Sequence, residues 1–226
     1  MHLKEGVLKL VIGNKNYSSW SLRAWLLLSV HKLPFEEVRI ALGQDDTSAL
    51  LARYTEAGRV PVLLDDDLTI WDSMAICEYV SEQYLSGGGW PSGARARAEA
   101  RSCSAEMHSG FPEIRGQLPM NCRATARKVP LNAALEKELD RIDRIWSRFR
   151  ETYAGAGPWL FGQFSIADCM FAPVALRFKT YGIELSKTAT HYMEFVLDNE
   201  KVRLWVEQAG MESEIIEMAE VGGITG

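Results

Sequence analysis

The chain has 226 residues, of which 47% are hydrophobic and 24% charged, with a formal net charge of −5. That is enough chain for one large domain or two small ones, each with an ordinary core. No stretch is long and apolar enough to span a bilayer, and the first ten residues lack an apolar signal core, so a cytoplasmic location with no membrane partner is expected. Residues 87–148 form a basic section, with 11 Lys and Arg against 7 Asp and Glu. They carry no interleaved aromatics and no DNA-reading motif, so nucleic acid is not an expected partner. A solvated helix face or a rim that attracts a small anion is expected instead. The four cysteines (Cys77, Cys103, Cys122 and Cys169) are dispersed, with no Cys-x-x-Cys pair and no His at metal-ligand spacing. Neither a disulfide framework nor a metal site is expected.

In chain order, Leu8 to Ile12 read as a buried strand, followed by a polar turn, Gly13 to Asn16. Then comes the cluster Tyr17-Ser18-Ser19-Trp20-Ser21, opening a helix through Leu22, Trp25, Leu26 and Leu28. A strand ending in hydroxyls at a helix start aims O–H and N–H donors at one spot, which suits an anion. Phe35 to Ile40 alternate as a half-buried strand, and a short helix is expected around Ala49 to Ala52. Arg59 to Leu64 and Leu68 to Trp71 read as two strands joined by a turn at Asp65-Asp66-Asp67. A helix with Ala75, Ile76, Tyr79 and Val80 on one face follows. The first part is therefore α/β, in the order βαβ-α-ββα. Ser86 to Pro91, rich in glycine, is the expected linker.

Beyond the linker the chain reads as all-α. Leu135, Leu139, Ile142, Ile145, Trp146, Phe149 and Tyr153 fall on one face of a long helix. Ser165 and Asp168 form a capping box for a further helix, a structural role. The tail after Met218 is expected to fray.

Two pairs of residues carry further chemistry. Pro61 in a strand-like run removes a ladder donor, so Val60-Pro61 is a cis peptide or a trans proline on an edge strand. A cis bond there would leave Val60 to pair with an extended peptide as an added strand does. Asp72 and Ser73 stand where a strand meets a helix, and either serves as N-cap. Such a pair also binds an α-amino acid head group, the serine and helix N–H groups taking its carboxylate and the aspartate its amine.

Four motifs in order carry a resemblance that spans nearly the whole chain: Tyr17-Ser-Ser-Trp-Ser-Leu-Arg23, Gly58-Arg-Val-Pro-Val-Leu63, Trp71-Asp-Ser-Met-Ala-Ile-Cys-Glu-Tyr79 and Phe164-Ser-Ile-Ala-Asp168. Together they resemble the glutathione S-transferase superfamily, most closely its serine-type classes and the zeta class (maleylacetoacetate isomerase). The resemblance implies a thioredoxin-like glutathione-binding domain over residues 6–86 and an all-helical domain over residues 92–219. It also implies a homodimer with glutathione as co-substrate and no metal. Ser18 falls on the catalytic serine, with Ser19 beside it. The hydroxyl of Ser18 or of Ser19 is implied to donate to the glutathione sulfur, favouring thiolate over thiol. Val60, before cis Pro61, is implied to bind the cysteinyl backbone, Asp72 and Ser73 the γ-glutamyl end, and Arg59 the glycyl carboxylate.

The resemblance also places a second-substrate site between the domains, with Tyr17, Trp20, Met107, His108, Phe111 and Met120 as its walls. Arg177 is matched to a zeta-class arginine that binds a substrate carboxylate. Trp20 stands where that class has a cysteine, a departure that bears on a maleylacetoacetate substrate. Three functions are thus in view: thiol transfer to an electrophile, glutathione-dependent cis–trans isomerisation, and a non-catalytic interaction module.

Overall fold

The computed structural model describes residues 7–223. A four-stranded sheet forms first, from β1 (Leu8–Ile12), β2 (Phe35–Arg39), β3 (Val62–Asp65) and β4 (Leu68–Trp71), in the order β2-β1-β3-β4. β1 pairs in parallel with β2, with Leu8 opposite Phe35, and antiparallel with β3, with Leu10 opposite Leu63. β3 and β4 form a hairpin.

β1 is central, so both of its faces are covered. Leu8, Leu10 and Ile12 enter the main core, while Val11 joins Ile40, Leu51 and Val62 in a smaller one on the opposite face. Helices α1 (Ser19–Val30) and α3 (Ser73–Tyr84) pack with the main core, and the short α2 (Thr47–Leu51) lies with the smaller one. This is a thioredoxin-like domain, as the resemblance implies. The strand expected from Arg59 begins only at Val62, because the chain first makes a cis Val60–Pro61 bond. The expected domain start at residue 6 lies outside the described residues.

The second part is helical: α4 (Ala94–Ser109), α5 (Pro112–Gln117), α6 (Ala133–Tyr153), α7 (Ile166–Tyr181), α8 (Lys187–Asp198) and α9 (Glu200–Gly210). α6 buries Leu135, Leu139, Ile142, Ile145, Trp146 and Phe149, the apolar stripe read from the sequence. α7 is enclosed on all sides, every residue but Lys179 being buried. It packs on α1, and that contact joins the two domains.

The predicted capping box is present at the start of α7. The Asp168 carboxylate accepts from Ser165 N (2.9 Å), Leu160 N (3.0 Å) and the Tyr192 hydroxyl (2.9 Å). A box expected to cap one helix therefore also ties α8 and the preceding loop to it.

The tail corrects an expectation. As far as Gly223, the last described residue, it is not frayed, because Glu220 accepts from Tyr17 Oη (2.7 Å), Asn121 Nδ2 (2.8 Å) and Arg127 Nη2 (2.5 Å). Upstream, Glu212 accepts from the backbone N–H groups of Lys15 (2.7 Å) and Asn16 (3.0 Å). Sequence periodicity misses such contacts because they join residues 93 to 203 positions apart. The C-terminal segment thus braces the turn that leads into α1.

Candidate functional site

The turn between β1 and α1 is built by close approach. A Cβ on Gly13 would lie 2.5 Å from Leu42 Cδ1 and 3.2 Å from Ser18 Cβ, so any larger residue would displace the Leu42 side chain. Ser18 is the N-cap of α1. Its Oγ lies 3.4 Å from Ser21 N and donates to Ser21 Oγ (2.7 Å), which in turn accepts from Gly13 N (3.1 Å). Ser19 Oγ instead accepts from Arg177 Nη2 (3.2 Å) across the domain interface, which leaves its own proton uncommitted. The two serines are 6% and 5% exposed, so any reactant must come to them at the helix start.

A cleft of about 460 Å³ lies between the domains, lined by Trp20, Ala57, Arg59, Val60, Pro61, Trp71, Asp72, Ser73 and His108. It brings together every peptide-binding residue implied by the resemblance. Asp72 is the N-cap of α3 with φ +75°, a backbone region that non-glycine residues rarely adopt, and its Oδ1 accepts from Met74 N (2.8 Å) and Ala75 N (3.2 Å). Strain of this kind, of order 1–3 kcal/mol, is held where the surroundings dictate it, and it clusters at ligand sites. Burial pushes the Asp72 carboxyl upward, but hydrogen bonds from His108, Ala75 and Met74 outweigh it and hold the group below its ordinary value. Ser73 is 1% exposed, and its Oγ has no partner among the described residues. A buried hydroxyl without a partner is costly unless something arrives to pair with it.

Of the expected second-substrate walls, only Trp20 and His108 face the cleft. Met107, Phe111 and Met120 are core residues, 2%, 6% and 1% exposed, because the face of α4 and the loop that carry them pack inward. Tyr17 turns to the tail, where its hydroxyl donates to Glu220 (2.7 Å) and accepts from Arg123 (2.9 Å). Arg177 lies inside the enclosed α7 and donates to the Leu118 carbonyl and to Ser19, so it presents no free fork to a substrate carboxylate.

Two further arginines lie close by and were not singled out from the sequence. Arg23, 1% exposed, and Arg115 both stack on the Trp20 ring, with 4.4 and 4.6 Å between guanidinium carbon and ring centre. Among the described residues none of Arg23, Arg115 and Arg177 forms a salt bridge; they donate to backbone carbonyls, Ser19 and His108. Burial first, then the cations Arg115 and Arg177, pull Arg23 down to about 9, so it stays charged at neutral pH. The legible signal was an arginine in the apolar run Leu22 to Leu28. Among the described residues, no group of His, Cys, Asp and Glu is spaced to hold a metal ion, and no helix is long and apolar enough to cross a membrane.

Comparison with known proteins agrees with this geometry. Residues 17–83 match the family model "Glutathione S-transferase, N-terminal domain", and residues 132–208 match "Glutathione S-transferase, C-terminal domain". The chain is 30% identical over 164 residues to the glutathione S-transferase-like protein gedE of Aspergillus terreus, a match covering 68% of this chain and 70% of that one. It is 27% identical over 139 residues to the dichloromethane dehalogenase of Methylorubrum extorquens, covering 54% of this chain and 48% of that protein, so it spans about half of that relative's length. Among solved structures, a glutathione transferase homologue from Burkholderia GL BGR1 with bound glutathione superposes with a TM-score of 0.66 at 26% identity, covering 90% of this chain and 98% of that one. The chain belongs to the glutathione S-transferase family.

Proposed function

We propose that this protein is a serine-type glutathione transferase. The observation that carries the reading is the gathering in one cleft, beside the start of α1, of Val60, Pro61, Asp72 and Ser73, whose hydroxyl has no partner among the described residues. In this reading residues 6–86 form the glutathione-binding unit and residues 92–219 supply the wall facing it. The γ-glutamyl carboxylate meets the Ser73 hydroxyl and the first turn of α3, and its ammonium meets Asp72. The cysteinyl backbone lies along Val60, and Arg59 takes the glycyl carboxylate.

The sulfur then falls at the N-terminus of α1. There a thiolate draws the Ser18 proton away from Ser21, because a charged acceptor outcompetes a neutral hydroxyl. The thiolate attacks an electrophilic carbon; the S–C bond forms as the bond to the leaving group breaks, and the leaving group departs with its electron pair. The Trp20 face and Trp71 give the cleft an apolar, aromatic side suited to such a substrate. The isomerase reading, matched to the zeta class, is less supported, since Arg177 is committed to Leu118 and Ser19.

Calorimetry with glutathione, followed by conjugation of an aromatic halide, tests the proposal. Asp72→Asn is expected to weaken glutathione binding roughly tenfold, since a hydrogen-bonded charge pair is worth on the order of 1.5–3 kcal/mol. Unchanged affinity would remove Asp72 from the site. We propose a homodimer, as the family resemblance implies, which sedimentation would check. The four free cysteines fit the reducing cytoplasm.

A further inference from the structure

We infer that His108, on the helical domain, is the residue that aims the Asp72 carboxylate at the γ-glutamyl ammonium, and that Arg23 sets the His108 tautomer for this task; the inference rests on the glutathione reading above. Three groups from two domains lie in a row. Arg23 Nη1 is 3.5 Å from His108 Nδ1, and His108 Nε2 is 3.1 Å from Asp72 Oδ2.

A guanidinium only donates, so Nδ1 must be the acceptor in that contact and Nε2 must carry the ring proton. Nε2–H then donates to Asp72. The ring cannot easily turn away: it stands edge-on to Trp20 at 5.2 Å between centres and 78° between planes, and Trp20 is stacked against Arg23 and Arg115.

This row accounts for two features that are otherwise unexplained. Arg23 is a buried cation without a salt bridge among the described residues, and the imidazole passes its hydrogen bonding on to the nearest carboxylate. Asp72 has one oxygen tied to the start of α3 and the other to His108, which leaves it no rotational freedom. Its side chain is nevertheless 43% exposed, and both residues line the cleft, so lone pairs on the open side remain for a ligand. A carboxylate held in advance binds an ammonium without losing side-chain entropy at that moment. His108 is therefore a positioning residue, acting through Asp72 on one group of the ligand.

The discriminating probe is a pair of ligands, glutathione and glutaryl-cysteinyl-glycine, which lacks only the α-ammonium. Calorimetry on the wild-type chain is expected to show glutathione binding roughly tenfold tighter than the deaminated peptide. His108→Phe keeps a ring against Trp20 but donates nothing, and it should bring that ratio to within about twofold. His108→Gln, whose amide N–H can take the place of Nε2–H, should restore most of the ratio.

If His108→Phe weakens both peptides equally, or leaves the ratio intact, His108 is only a clasp between domains and the inference is wrong. Should Asp72→Asn abolish the ratio while His108→Phe does not, the glutathione reading stands and the role of His108 falls. If the folded wild-type chain binds neither peptide, both readings fail together.

Discussion

Ser18→Ala should raise the thiol pKa of bound glutathione by about one to two units and lower kcat/KM near neutral pH by roughly 10- to 100-fold. The reasoning is local. Ser18 caps α1, its Oγ accepting from Ser21 N at the helix start, and its hydroxyl is the donor there that alanine removes. The deficit should shrink as pH rises above the thiol pKa, because the thiolate then forms without help. Titration of thiolate absorbance in the binary complex measures this directly. Ser18→Thr, which keeps the hydroxyl, should retain most of the activity.

Ser19→Ala should have the smaller effect on the thiol, since Ser18 is the N-cap of α1 whereas Ser19 lies against Arg177 at the domain interface, and it should act mainly on the fit between α1 and α7. A thiol pKa raised by Ser19→Ala and untouched by Ser18→Ala would reverse the assignment. Loss of the cap itself costs about 0.5–2 kcal/mol of stability, so melting curves belong beside the kinetics.

Asp168→Ala should cost about 3 kcal/mol, or roughly 10 °C in Tm for a chain of this size. The carboxylate is fully enclosed, and its loss strands the N–H groups of Leu160 and Ser165 and the hydroxyl of Tyr192. The same group shapes the pH dependence. Burial pushes its carboxyl up to about 6, although the four hydrogen bonds it accepts pull the other way.

An unfolded aspartate titrates near 3.9. Between about pH 4 and 6 the folded chain therefore holds a proton that the unfolded chain has released. The Asp168 contribution to stability falls as pH rises through that window and is level above it. Urea unfolding at several pH values should show this limb in the wild-type chain and its absence in Asp168→Asn. A limb of the same slope in Asp168→Asn would assign it to another group.

The capping box was legible because its two members stand three residues apart in the sequence. Its reach was not. Tyr192 lies 24 residues further on, and only the packing of α8 against α7 brings its hydroxyl to Asp168. The candidate site residues divide in the same way. Ser18, Val60-Pro61 and Asp72-Ser73 each sit at a junction between a helix or strand and a turn, where Pro, Ser and Asp leave a local signature. The second-substrate walls left none. Met107, Phe111 and Met120 have the apolar character of a wall and of a core alike, and hydrophobicity carries no direction. His108, outside every motif, lines the cleft because α4, which carries it, packs on α7 of the helical domain.

The sequence by itself determined the order of elements, the apolar stripe of α6, the caps of α3 and α7, and the family motifs, since all of these depend on neighbours within a few residues. The tertiary structure alone decided that Tyr17 pairs with Glu220 of the C-terminal tail, that Arg177 donates to Ser19, and that Arg23, His108 and Asp72 lie in a row. Each of these contacts joins residues far apart in the chain and is set by how two independently patterned domains dock. The docking depends on shape and buried charge summed over many side chains, and no short stretch of sequence encodes it.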